Sequence, residues 1–236
     1  MRTTLAIAAR ELRSYFASPI AYVVTAAFLV VTGYLFTLIL LYSREASLRF
    51  LFSNMSVLLL IVSPALTMRL LAEEQRMGTI ELLLTSPVRD REIVIGKFLA
   101  SLGLLAAMLA VTLYFPALLF VYGNPEKGHI ITGYLGTLLL GAAFLSIGLF
   151  ASSLTPNQIV SAVLTFMALL VFWLIGGAAD LASPPVSDIV RYLAVDQSYN
   201  DFTRGVVDSK AVIYLLSLVA VFLFATVRTL ESRRWR

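Results

Sequence analysis

The chain has 236 residues, of which 59% are apolar and only 14% charged, whereas a soluble globular chain averages about 45–50% apolar and about 25% charged. Both departures exclude an ordinary soluble enzyme and point to a polytopic membrane protein. The absence of cysteine and the single histidine, His129, exclude a disulfide framework, a cysteine-based metal site and a histidine cluster, and the net charge of +4 matters less than the side of the membrane on which the charges fall.

The opening Met1-Arg2-Thr3-Thr4-Leu5 lacks the ordered basic, apolar and small-residue regions of a cleaved signal peptide. The first span is therefore expected to act as the insertion signal. Over residues 2–17, Leu5, Ala8, Leu12 and Tyr15 recur at helical spacing, with Phe16 beside them, and the other face carries Arg2, Arg10 and Arg13. This pattern predicts a helix lying in the interface with its arginines toward anionic lipid. The competing reading is a charged flank that only sets orientation.

Ser18-Pro19 suits a helix start, with serine as cap and proline in the first turn. Residues 20–42 are free of charge and reach the roughly 20 residues that a span needs. A second span is expected over about 50–72, kinked at Ser63-Pro64, with Arg69 near its end. A third runs over about 92–122, interrupted by Lys97 and Pro116 and opened by Asp90 and Glu92, which suit a first helical turn. Gly123-Asn124-Pro125-Glu126-Lys127-Gly128 is turn chemistry. The fourth span, about 130–154, carries Gly133, Thr137 and Gly141 four apart, a small-residue stripe of the kind that lets helices approach closely. The fifth covers about 159–179 and the sixth about 211–228. Between them, residues 180–210 are too polar to cross, and short amphipathic pieces are expected there.

Six spans put both ends on one side. If that side is the cytosol, twelve of the 18 Lys/Arg are cytosolic, and the excess sets the orientation. Residues 73–91 then face the cytosol and residues 180–210 the outside. The spans hold almost no ionisable group, so proton coupling within this chain is not expected. Gly96-Lys97 is not a phosphate loop, because Arg91 stands where the earlier glycine belongs and Phe98 follows the lysine. No zinc-protease or nucleophile-elbow motif is present. The chain is therefore no enzyme on this reading, with no catalytic or metal residue, and its energy must come from another chain.

The stretch Glu73-Glu74-Gln75-Arg76-Met77-Gly78-Thr79-Ile80-Glu81-Leu82-Leu83-Leu84-Thr85-Ser86-Pro87 is richer than a loop between spans requires. Gly78 suits a left-handed helix end and Thr79 a cap for a new short helix. Ile80, Leu83 and Leu84 then share a face, with Glu81 and Thr85 elsewhere. An apolar knuckle beside a carboxylate suits a groove on a partner protein. The alternatives are an amphipathic linker resting on lipid and, for Glu73 and Glu74, solvated helix-end charges. An acidic pair is repelled by an anionic leaflet, which favours the protein partner.

On these residues the chain resembles permease subunits of ABC transporters of the ABC-2 type, and among them most the gliding-motility-type permeases. The matching features are Arg10-Glu11-Leu12-Arg13-Ser14-Tyr15-Phe16-x-Ser18-Pro19, the Glu73-Glu74-x-x-x-Gly78-Thr79-x-Glu81-Leu82-Leu83-x-Thr85-Ser86-Pro87 segment, and Arg204-Gly205-Val206-Val207-Asp208 before the last span. The resemblance implies an all-α polytopic membrane domain of six transmembrane helices over residues 1–236. It implies an interfacial elbow helix at 2–17 (Arg10, Arg13, Tyr15 and Phe16), a cytosolic coupling helix at about 79–86, and outer-face helices before the last span. Glu73, Glu74, Gly78, Thr79, Ile80, Glu81, Leu82, Leu83, Leu84, Thr85 and Ser86 would couple it to two copies of a separate ATPase subunit that carries the ATP and magnesium. A second permease chain, identical or a paralogue, and membrane lipid complete the expected partners, with no nucleic acid among them. The location implied is the bacterial inner membrane with both termini cytosolic, and the activity is export by alternating access. The path would run between two permease halves, lined by Asn54, Ser56 and Ser63 of span two and Thr165, Phe166, Phe172 and Trp173 of span five. For each of these residues taken singly, packing or lipid contact is the competing reading. The competing function is a non-transporting anchor or mechanotransmission scaffold for an envelope complex.

Overall fold

The computed structural model describes residues 2–43, 47–79, 88–123, 125–178 and 194–234. Its helices are α1 (Arg2–Ala17), α2 (Pro19–Ser43), α3 (Arg49–Thr67), α4 (Ala72–Arg76), α5 (Asp90–Thr112), α6 (Tyr114–Tyr122), α7 (Lys127–Leu154), α8 (Gln158–Ala178), α9 (Val195–Thr203) and α10 (Ser209–Arg234). There is no strand among the described residues. Six helical stretches are long and apolar enough to cross a membrane: Pro19–Tyr42, Arg49–Arg76, Asp90–Tyr122, Lys127–Leu154, Gln158–Gly177 and Ser209–Ser232. The chain is an all-α polytopic membrane protein.

The two prolines inside spans behave differently. A proline lacks an N–H and crowds the carbonyl one turn back. α3 continues past Pro64 and ends one turn later at Thr67, after Met68 N–H has bonded Pro64 O at 2.9 Å. Span three breaks at Leu113, just before Pro116, and resumes as α6.

α7 is the axis of the bundle. Its apolar window is 78% buried, against 17% for α2, 17% for α8 and 22% for α10, and it packs on α3, α5, α8, α9 and α10. Its glycines each make room for a different neighbour. A Cβ at Gly133 would strike the Phe52 ring of α3, one at Gly136 would meet Phe202 of α9, and one at Gly141 would meet Leu105 of α5. The expected small-residue stripe allows close packing: Gly133 and Gly141 both approach α3, at Phe52 and Leu59, and Gly141 also meets α5. Thr137, between two of these glycines, meets Tyr199 of α9 through its hydroxyl at 2.9 Å.

α9 is one of the short amphipathic pieces expected between spans five and six. Val195, Tyr199, Phe202 and Thr203 form one buried face, and the helix closes one end of the bundle. Tyr199 donates to Phe52 O at 2.9 Å, and Thr132 donates to Phe202 O at 2.9 Å. Burial pushes the Tyr199 hydroxyl well above its usual range, which keeps it a neutral donor. The Arg204–Asp208 motif acts as a helix stop and start. Gly205 has φ +86°, Gly205 N–H bonds Phe202 O at 3.2 Å and Val206 N–H bonds Asp201 O at 3.0 Å, the paired bonds of a glycine-closed helix end. Asp208 Oδ1 then accepts from Lys210 N–H at 2.9 Å, opening α10.

Gly148 offers the sharpest test of this packing. A Cβ there would meet the Thr67 hydroxyl, Thr67 Cβ at 2.8 Å and Thr165 Cγ2 at 3.0 Å, and Thr67 is already bonded to Ser63 O at 2.8 Å. Gly148→Ala is expected to destabilise by ~1–3 kcal/mol, read as a lower melting temperature in detergent. Gly128→Ala, where nothing lies within 4 Å, is expected to change stability by less than ~0.5 kcal/mol. Equal melting of the two variants would refute the close approach of α3, α7 and α8.

Candidate functional site

The residues before Gly78 sit in a junction where α1, α3, α4, α5 and α7 converge. It begins with the interruption between α3 and α4. The regular helix is interrupted over residues 68–71, and the N–H groups of Leu71 and Ala72 find partners outside it. Ser152 of α7 supplies them. Its hydroxyl oxygen accepts from Leu71 N–H at 3.1 Å and Ala72 N–H at 3.0 Å, and it donates to Met68 O at 3.3 Å. α4 returns the favour at the end of α7, where the last carbonyls lack intrahelical donors. Gln75 Nε2 donates to Ser153 O at 2.9 Å and Ser152 O at 3.3 Å.

The charges of α4 are held from two sides. Glu73 forms a two-pronged pair with Arg69, Nε to Oε2 at 2.8 Å and Nη2 to Oε1 at 3.0 Å, and Arg69 Nη1 donates to Ser18 Oγ at 3.0 Å. Glu74 turns inward. Its Oε1 accepts from Lys97 Nζ at 2.7 Å, and the same ammonium donates to Glu11 Oε1 of α1 at 3.1 Å. The Lys97 side chain is 2% exposed, and Arg10 Nη2 meets Glu11 Oε1 from the solvent side at 3.0 Å. Glu74 Oε2 is buried without a hydrogen-bond partner.

Glu11 reaches Lys97 because α1 lies directly on α5. Gly96 makes this possible: a Cβ there would fall 2.8 Å from Ile7 Cγ2 and 3.1 Å from Thr4 O. Two hydroxyls fasten the same helix. Thr3 donates to Glu92 Oε1 at 2.9 Å, and Tyr15 donates to Leu66 O at 2.7 Å. Desolvation, reinforced by the nearby Glu11 carboxylate, raises the Tyr15 hydroxyl far above its usual range, so it stays a donor at every physiological pH.

Among the residues read as coupling positions, Glu73 and Glu74 are anchored as described. Gly78 has φ +70°, a left-handed value that favours glycine, and it follows α4 directly. Thr79 is helical again, with its hydroxyl 3.3 Å from Glu74 O. Ile80, Glu81, Leu82, Leu83, Leu84, Thr85 and Ser86 lie outside the described residues. In α1, Arg10 and Arg13 are exposed, Phe16 is 48% exposed and Tyr15 is half-buried. Leu5 is 63% exposed. The face on α5 instead includes Thr4, Ile7 and Leu12.

The seven residues read as a transport path do not share one environment. Asn54 is exposed and donates to Phe50 O at 2.7 Å. Ser56 and Thr165 are buried and donate to carbonyls of their own helices, Ser53 O and Ser161 O. Ser63 Oγ is buried without a partner. Phe166 and Trp173 pack against the core, and Phe172 meets Phe222 of α10 edge to face.

Sequence reasoning missed Glu11, Gln75, Lys97 and Ser152 as parts of this junction. Lys97 carried the one usable signal, a cation inside an apolar run; it seats about 10 Å along α5 at the helical rise of about 1.5 Å per residue. Burying that ammonium demands carboxylates, and Glu74 and Glu11 supply them. The arrangement holds no set of three or more potential metal ligands among the described residues.

The family described as ABC-2 family transporter protein matches residues 5–232. No curated protein matches the chain. The match spans nearly the whole length, junction and bundle together, and the chain belongs to the ABC-2 family of transporter proteins.

Proposed function

We propose that this permease subunit is the moving half of an ATP-driven exporter of the bacterial inner membrane, with both termini cytosolic. Residues 79–86 form its coupling helix, which seats on a separate ATPase subunit carrying ATP and magnesium. Two permease chains, identical or paralogous, pair with two ATPase copies and alternate between inward- and outward-facing states. Spans two and five line the path between the two halves. The motifs at 10–19, 73–87 and 204–208 support a subunit of the gliding-motility type.

The observation that carries this reading is the double anchoring of α4. Glu73 and Glu74, five and four residues before Gly78, are tied through Arg69, Ser18 and Lys97 to α1, α3 and α5, and Gln75 and Ser152 tie α4 to α7. A force applied just beyond Gly78 is delivered to four helices at once.

Glu81→Lys or Leu83→Asp is expected to abolish co-purification with the ATPase and transport in vesicles, with the melting temperature of the membrane domain unchanged. Normal co-purification and transport in both variants would refute the coupling assignment. The Lys97 cluster separates stability from coupling. Lys97→Met leaves two carboxylates without their shared cation and is expected to destabilise by ~3–5 kcal/mol. Glu11→Gln/Glu74→Gln/Lys97→Met removes the whole charged set and is expected to recover most of that loss. The triple variant should still transport at least tenfold more slowly per ATP hydrolysed, since ~1.4 kcal/mol of lost differential interaction is a tenfold effect. Full coupling in the stable triple variant would show that the cluster only holds the fold.

A further inference from the structure

A cleft opens between α1, α2 and α3, on the Arg69 side of the junction. Its enclosed part is small, about 70 Å³, and the rest of the cleft lies open. One end is polar, formed by Glu11, Ser14, Ser18, Arg69 and Glu73, and the other is apolar, formed by Ile20, Val24 and Ala65. The apolar part belongs to the first turns of the span Pro19–Tyr42 and the last turns of α3. The cleft thus runs from the end of two spans into their apolar bodies, the profile of a headgroup and the start of its chains.

The charges in it select the headgroup. A guanidinium has five N–H donors. Arg69 uses three, two on Glu73 and one on Ser18, which leaves one on each terminal nitrogen for a phosphate. Of the side chains lining the cleft, Arg69 is the one cation, and Glu11 and Glu73 are both carboxylates. Glu73 already balances Arg69, and Glu11 is shared between Lys97 and Arg10, so a purely anionic headgroup meets no unpaired positive charge. A zwitterion with a phosphate and a primary ammonium satisfies both signs, because the ammonium donates to Glu73 or Glu11. A trimethylammonium group has no N–H to donate.

We infer that this cleft binds a phosphatidylethanolamine-type lipid, phosphate on Arg69 and ammonium on the Glu73 and Glu11 carboxylates. The inference stands apart from how the chain is powered. The test uses the full chain, delipidated in detergent and supplied separately with phosphatidylethanolamine, phosphatidylcholine and phosphatidylglycerol. Lipid retention is read by native mass spectrometry and stabilisation by melting. Phosphatidylethanolamine should be retained roughly tenfold better than either other lipid, the scale of one charge-assisted contact. Glu73→Gln should erase the preference. Ser14→Trp fills the cleft from an exposed position and leaves the Arg69–Glu73 pair intact; it should abolish retention while melting like the parent without lipid. Equal retention of all three lipids by the parent, or an unchanged preference in Ser14→Trp, would overturn the assignment.

Discussion

Taking an ammonium group out of water costs several kcal/mol even after the protein relaxes around it. Lys97, 2% exposed, bears that cost within a chain that is only 14% charged. The cost is offset only while both Glu11 and Glu74 stay within hydrogen-bond reach, at 3.1 and 2.7 Å. Three segments distant in sequence, α1, α4 and α5, must therefore keep one relative placement. A buried lysine with one carboxylate would fix a pair of helices; with two it fixes a triangle. An apolar side chain at the same position would pack as well and would specify no such geometry. This is the case in which buried charge serves register more than stability.

The rest of the bundle is shaped to let that triangle form. α1 lies close enough for Glu11 to reach only because Gly96 removes a Cβ from the contact with Ile7 and Thr4. α4 presents Glu74 inward only because the regular helix is interrupted over residues 68–71, and that interruption is tolerable because Ser152 accepts from the N–H groups of Leu71 and Ala72. Ser152 in turn is positioned by α7, the helix that every packing layer shares. In a membrane, hydrophobicity does not drive helices together, so close packing and hydrogen bonds must do so. α7 supplies both, with glycines against Phe52, Phe202 and Leu105 and hydroxyls toward Tyr199 and α4.

The six spans were legible from sequence because a charge-free run of span length is a strong signal. The expected 130–154 and 159–179 correspond to Lys127–Leu154 and Gln158–Ala178. The helix end at Gly78 was legible for a similar reason, since a glycine after a polar turn has few other uses. Contacts between spans were not legible. A helix face turned to lipid and one turned to the core are equally apolar, so periodicity vanishes in the segments whose packing matters most. The regular spacing of Gly133, Thr137 and Gly141 signalled close packing but not which helices it would serve: α3, α5 and α9. α9 was legible as a short amphipathic piece because residues 180–210 are too polar to cross. Only the fold shows that Tyr199 and Phe202 plug the bundle end. The pairing of Glu11 with Lys97, 86 residues away, depends on tertiary placement, which no local pattern encodes.

The placement of α1 bears on the segment between Gly78 and α5. The chain enters that segment from α4, whose Glu74 is tied to α1 through Lys97. It leaves through the first turn of α5, where Glu92 accepts from Arg89 N–H at 3.3 Å and from Thr3 of α1 at 2.9 Å. Both ends of the segment are thus fastened to one short helix outside the bundle. α1 is itself held to α3 by the Tyr15 hydroxyl on Leu66 O. On the coupling reading, displacement of residues 79–86 cannot tilt α5 without carrying α1, and cannot carry α1 without pulling on the end of α3. At the entrance, a Cβ on Gly78 would touch no described residue within 4 Å, and its left-handed backbone angle sets the exit. Among the described residues the junction is stiff, and Gly78 is its one left-handed position.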